Sequence, residues 1–170
     1  MNSKLLKAID YLIKKSETKT GLIALEKIFK IGIPFNKPHG IFFKKLSPYE
    51  SVMLMKNKRL NHNHLGGIHA CAIATVGEFS AGLLLCKNFE MNLFRVIMKE
   101  INVTYSSQAR KNIISKATID ATLVEDLKKR IVLDSQADVD LITEIEDFDG
   151  KEIAIVKTTW QLKAWKDVRN

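Results

Sequence analysis

Glu78 is the residue whose setting most points to chemistry. It lies inside the long apolar run Gly66–Cys86, where His69 is the only other strongly polar residue. Read as a helix at about 100° per residue, the run puts Cys71, Ala74, Thr75, Ala81, Gly82 and Leu85 on the face of Glu78. Most of these side chains are small, so that face admits a close neighbour: another helix, or a thin ligand such as an acyl chain. A carboxylate buried among apolar groups is costly unless paired or protonated, and desolvation raises its pKa. A raised pKa suits a general base or a nucleophile. The alternative, a structural Glu bonded to a backbone amide or a lysine, has equal weight on spacing alone.

The same run opens after Gly66-Gly67 with Ile68-His69-Ala70-Cys71. A helix starting there presents unpaired amides and a positive dipole end, which stabilise either a developing oxyanion or nothing beyond the helix's own cap. A helix N-terminus also lowers a thiol's pKa, so Cys71 is a candidate nucleophile. Among apolar neighbours an inert thiol is the plainer reading. His62, His64 and His69 fit no zinc spacing and have no thiolate or carboxylate interleaved, so no metal is expected.

These residues need elements to position them. Residues 4–15 read as an amphipathic helix with Leu5, Ile9, Leu12 and Ile13 on one stripe, and 21–31 as a second. Pro34, Pro38 and Gly40 mark a loop. Strands are expected at 41–46 and 51–56, a polar loop at 57–67, and the long helix at 68–86. Strands follow near 96–105, 113–121, 137–145 and 154–162, with a helical turn or two at 124–132. Val96 and Met98 keep the opposite parity from Ile101, Val103 and Tyr105, so a bulge is expected near Lys99-Glu100. Asp149-Gly150 signals a two-residue hairpin. A helix apolar on nearly every side must be covered, and an antiparallel sheet wrapped around it does so.

The chain has 170 residues, of which 46% are hydrophobic, and three prolines. One domain spanning 1–170 is expected, with 1–33 as a helical extension and 41–165 as the core. The net charge of +8 attracts polyanions, but the basic residues are dispersed and carry no nucleic-acid motif, so nucleic acid is not expected as a partner. Cys71 and Cys86, about 22 Å apart along one helix, cannot pair within a subunit, and free thiols fit the cytoplasm. Lys7, Asp10, Lys14 and Lys15 interrupt any signal-like apolar core. Gly66–Cys86 is long enough for a membrane span, but its central carboxylate and its lack of interfacial aromatics favour a buried helix, so no transmembrane segment is expected.

Asn63, Gly66, His69 and Glu78 together resemble the motif of hot-dog-fold acyl-CoA thioesterases of the phenylacetate-pathway type, and more closely that of their uncharacterised relatives. That motif has an Asn, a Gly, then His-Gly-Gly, with an acid nine residues after the His. Here the spacing from Asn63 to His69 and from His69 to Glu78 matches, and the resemblance runs from about Ser51 to Trp165. It implies an α+β hot-dog fold: an antiparallel sheet around one central helix, with the N-terminal helices added. It implies hydrolysis of an acyl thioester by a homodimer or dimer of dimers. Glu78 would be base or nucleophile, Ala70 the oxyanion amide, with or without the Cys71 amide, and Asn63 and His69 the groups that position the thioester or the water. Arg110 and Lys111, with Cys71, would bind the coenzyme A moiety of the substrate, and no other cofactor is required. One departure stands out: His-Gly-Gly is His69-Ala70-Cys71 here, and a side chain in that place narrows the pocket. A non-catalytic acyl-thioester-binding protein of the same fold is the alternative.

Overall fold

The computed structural model describes residues 3–168. Two helices open the chain, α1 (Ser3–Lys15) and α2 (Lys19–Gly32), separated by a sharp turn that Thr18 caps through the Gly21 amide. The strands are β1 (Ile41–Leu46), β2 (Glu50–Met55), β3 (Phe94–Tyr105), β4 (Ile113–Thr118), β5 (Gln136–Asp147) and β6 (Glu152–Ala164). The long helix α3 (Ala70–Asn88) lies between β2 and β3, and α4 (Ala121–Asp134) between β4 and β5. All six strands form one antiparallel sheet in the order β1-β2-β4-β5-β6-β3. The sheet curls around α3, which gives the hot-dog fold that the motif implied.

Why the sheet curls is visible in side-chain alternation. Strand β5 alternates buried and exposed residues along its length, with Val139, Leu141, Thr143 and Ile145 facing α3. The register of β3 against β6 shifts between Met98 and Glu100, at the position where the parity of apolar residues changes. The Asp149-Gly150 turn joins β5 to β6, with Gly150 at φ 78°. Some expectations shift at their ends. The strand expected at 113–121 stops at Thr118, because Asp120 caps the helix that opens at Ala121. The long helix begins at Ala70 rather than Ile68, because Ile68 bridges His62 and His69 serves as N-cap. Helix α4 is three residues longer at its start and two longer at its end than the apolar residues alone implied. Asp120 caps it through the Leu123 amide, and Ser135 ends it in left-handed backbone.

Among the described residues, α3 is the one helix long and apolar enough to cross a membrane. The sheet covers it instead. Val76, Ala81, Leu84 and Leu85 are fully buried against the strands. The approach is close enough to require glycine. A Cβ on Gly77 would stand 2.6 Å from Val156 Cγ2, and one on Gly82 would stand 2.8 Å from the Trp160 ring. Ser115 and Thr143 reach from β4 and β5 to the carbonyls of Val76 and Gly77, so the sheet also holds this turn of α3 by hydrogen bonds.

Val156 is branched at Cβ and held between β5 and β3, so it has little room to yield. Gly77→Ala should therefore lower stability by up to about 2 kcal/mol: crowding of about 1–3 kcal/mol offsets the ~1 kcal/mol gain in helix propensity. Calorimetry should show a Tm several degrees lower. A higher Tm would mean that the β6 contact is not close.

Candidate active site

The sheet leaves one stripe of α3 uncovered: Cys71, Ala74, Thr75, Glu78, Gly82 and Cys86. The upper part of this face is the one expected from the sequence. Its lower part is not, because Ala81 and Leu85 turn fully into the core beneath β4–β6 and α4, and Cys86 takes their place. Glu78 is half-buried and lines a cavity of about 250 Å³ whose other walls are almost wholly apolar, among them Phe29, Phe79, Leu83, Phe94 and Trp160. Among the described residues, no hydrogen bond or ion pair engages its carboxylate. Desolvation alone therefore pushes its pKa from 4.5 to about 7. A carboxyl group at that pKa is about half in its ionised form near neutrality, and that ionised form is the one that acts as a general base. Cys86, which shares the cavity, has its thiol pushed up to about 12 by burial and by the nearby charges of Asp10 and Glu78. It stays protonated and is not a nucleophile there.

The start of α3 is built differently. His69 Nδ1 accepts the Cys71 amide at 3.0 Å, so His69 is the helix cap and the Cys71 N–H is already occupied. The Ala70 N–H has no partner among the described residues, and Tyr105 Oη donates to the Ala70 carbonyl at 2.9 Å. Of the two amides expected to hold an oxyanion, Ala70 is the one left available. The Asn63 side chain is turned inward on its own loop: Oδ1 accepts from Leu65 and Gly67 amides, and the Asn63 amide donates to Gly67. It shapes the approach to α3 and does not meet Glu78 by any bond found here. The Cys71 side chain is exposed near Tyr105.

Arg110 and Lys111 lie in the loop between β3 and β4, which touches the start of α3. Ile68 donates to the Ala109 carbonyl at 2.8 Å, and Gly67 packs on Gln108. Arg110 donates to Gln108 at 2.8 Å, and Lys111 pairs with Asp149. The basic pair is thus near the helix start and away from the apolar cavity. Among the described residues, no three His, Cys, Asp or Glu side chains gather closely enough to hold a metal ion. Two groups of the site escape a reading by sequence. Phe29 and Ile33 bring the N-terminal helices to the cavity, and Arg95, whose Nη2 donates to Gln161, enters its wall. Neither is near Glu78 in the chain. Only the apolar stripe of α2 hinted that something waited to be covered.

Within one chain, Ala70 and Glu78 cannot act on one carbonyl. Eight residues of helix separate them by about 12 Å, while reacting groups must lie within about 3 Å.

Residues 21–162 match the family model described as Domain of unknown function (DUF4442). No curated protein matches by sequence. Solved structures match by fold. A Pseudomonas aeruginosa protein of unknown function, described as a probable thioesterase, is 25% identical, with a TM-score of 0.75 over 81% of this chain and 91% of its own. A mutant of a second Pseudomonas aeruginosa thioesterase is 14% identical, with a TM-score of 0.68 over 84% and 94%. A Haemophilus influenzae thioesterase is 12% identical, with a TM-score of 0.68 over 86% and 94%.

Because the native fold raises the pKa of Glu78, it binds that proton more tightly than the unfolded chain does. The resulting support is complete below about pH 4.5 and is lost as pH climbs through about 7. The loss amounts to at most about 3 kcal/mol, at ~1.4 kcal/mol per unit. Glu78→Gln does not titrate. Its Tm relative to wild type should therefore rise by several degrees between pH 4.5 and pH 8 in differential scanning calorimetry. A constant difference would show that the carboxylate is solvated.

Proposed function

This chain belongs to the DUF4442 family, and we propose that it hydrolyses acyl thioesters to a carboxylic acid and a free thiol. The observation that carries the reading is the unpartnered Glu78 carboxyl group on an apolar cavity, with its pKa near 7. In the general-base route, Glu78 takes a proton from water as the water oxygen bonds to the thioester carbon. The C–S bond then breaks, and the thiolate leaves with the proton that Glu78 held. In the nucleophilic route, the Glu78 carboxylate bonds to the thioester carbon, the C–S bond breaks and thiolate leaves; water then hydrolyses the resulting anhydride to the acid, which regenerates the Glu78 carboxylate and yields the proton that the thiolate takes up. The likeness to a protein described as a probable thioesterase supports the class of reaction, and the His69-to-Glu78 spacing supports Glu78 in the part played by the acid of phenylacetate-pathway thioesterases.

The oxyanion donor in this reading comes from a second copy of the chain. The 12 Å gap between Ala70 and Glu78 calls for it. Two features favour it: the uncovered stripe of α3, lined by small residues, and the outer edge of β3, which pairs only with β6 and exposes Ile97, Ile101 and Tyr105. A homodimer, or a dimer of dimers, would set the α3 helices antiparallel and bring Ala70 of one copy toward Glu78 of the other. Arg110 and Lys111, beside the helix start, are the groups proposed for the phosphates of coenzyme A. His69, which caps the start of α3, and Asn63, which folds the loop leading to it, are the residues proposed to position the thioester or the water. Two unpaired thiols and a core helix covered by the sheet fit a soluble, cytoplasmic protein.

Glu78→Gln keeps the volume and removes the base. It should retain the fold and lose at least about a hundredfold in kcat/KM for thiol release. In the wild type, log kcat/KM should fall by about one per pH unit below about pH 7, because only ionised Glu78 is competent. Turnover that is unchanged in Glu78→Gln, or flat from pH 7 to pH 4, would remove Glu78 from the reaction. Binding of acyl thioesters without any thiol release would instead favour the non-catalytic alternative.

A further inference from the structure

The cavity below Glu78 is not closed by the hot-dog core alone. Leu6 of α1, Phe29 of α2 and Ile33 just after α2 line it together with Trp160 and Phe94 of the sheet, so the N-terminal helices supply one of its walls. This wall is fixed in place by buried polar contacts. The Asp10 carboxylate, 4% exposed, accepts the amides of Met91 at 2.8 Å and Asn92 at 3.0 Å, where α3 gives way to β3. Lys87 of α3 donates to the Ile13 carbonyl at 3.0 Å and pairs with Glu17 at 3.1 Å, which holds the end of α1. Glu26 of α2 accepts the Phe43 amide of β1 at 3.0 Å. Phe29 packs edge-on against Phe43 and tilted against Phe79, with centroids 6.0 and 5.5 Å apart. A buried carboxylate that caps two backbone amides and a lysine that holds a helix end are costly to undock. The helical pair is thus a rigid wall and not a lid.

We infer that this wall is an acyl-length stop: the N-terminal helices set the longest acyl group that can reach Glu78, and the group is apolar with no more than about ten carbons. The inference rests on the proposed thioesterase reading and deepens it. The size follows from the room beside the wall. The cavity opens to solvent on one side, so its volume counts the part of the acyl group held against the wall: a dry cavity of about 150 Å³ takes benzene, so about 250 Å³ holds roughly ten carbons. The apolar class follows from the walls, which offer an acyl chain little besides hydrocarbon and aromatic surface. Leu6 and Ile33 are the length-determining residues, because they meet the cavity without carrying the Phe29 packing that joins α2 to the core.

The experiment measures kcat/KM across straight-chain acyl-CoA substrates from C4 to C16, for wild type, Leu6→Ala and Ile33→Phe. In parallel, calorimetry measures binding of the matching non-hydrolysable thioether analogues. Each methylene that the cavity covers adds up to about fourfold, so wild type should climb to a maximum near C8–C10 and fall beyond it. Leu6→Ala should move the maximum two or more carbons longer, and Ile33→Phe should move it shorter. Ile33 is half-exposed, so Ile33→Phe is the variant that decides if Leu6→Ala fails to fold. Hydrolysis with the same optimum in wild type and Ile33→Phe would overturn the wall and leave the thioesterase reading intact. Length-limited analogue binding that shifts in the variants, without hydrolysis by wild type, would keep the wall and overturn that reading. An absence of both hydrolysis and binding at every length would overturn the wall as well.

Discussion

Everything in this molecule depends on how closely α3 lies on the sheet. Gly77 and Gly82 remove the two side chains that would hold the helix away from Val156 and Trp160. With those gaps closed, most of the helix disappears into the sheet, and only the narrow stripe from Cys71 to Cys86 is left outside it. Glu78 sits on that stripe, too enclosed for free hydration and too far from any donor to be neutralised by one. Its raised pKa follows from where the helix is seated. A helix lifted even slightly would admit water to the carboxylate and return it toward an ordinary acid.

The polar groups around the site divide by task. Ser115 and Thr143 hold the helix turn before Glu78. His69 closes the helix start by accepting the Cys71 amide and leaves the Ala70 amide open. Asn63 folds the loop that leads in, and Asp10 and Lys87 fix the N-terminal helices. Each contact satisfies a backbone group that burial would otherwise strand. The cavity lining is almost wholly apolar, and the carboxylate of Glu78 is left without a partner among the described residues.

Much of this was legible in the sequence because its signals are local. The alternation in β5 and the change of parity at Lys99-Glu100 are written in neighbouring residues, and the structure shows the strand and the bulge where they were expected. The apolar run around Glu78 announced a covered helix and a perturbed acid. What stayed hidden is nonlocal. Nothing near Asp10 says that its carboxylate reaches Met91 and Asn92, some eighty residues on. Nothing near Phe29 says that it walls the cavity of Glu78. The part of His69 as helix cap was hidden too: its ring nitrogen accepts the amide two residues on, a contact that the motif did not announce. The helix face also drifted from expectation at its far end. Ala81 and Leu85 lie on the angular sector of Glu78, but the strands and α4 close over that side.

The central claim is that one reaction centre combines Ala70 of one copy with Glu78 of another, and subunit mixing tests it most directly. Ala70 is the first residue of α3, and His69 before it is extended at φ −64° and ψ 141°, so proline fits at position 70 and removes only the amide. Ala70→Pro and Glu78→Gln should each be inactive alone. Mixed in equal amounts, with exchange verified by native mass spectrometry, they form heterodimers in which one site has both groups and the other has neither. The account predicts thiol release at about a quarter of the wild-type rate per site. Complete exchange without recovered activity, or a fully active monomer, would contradict it.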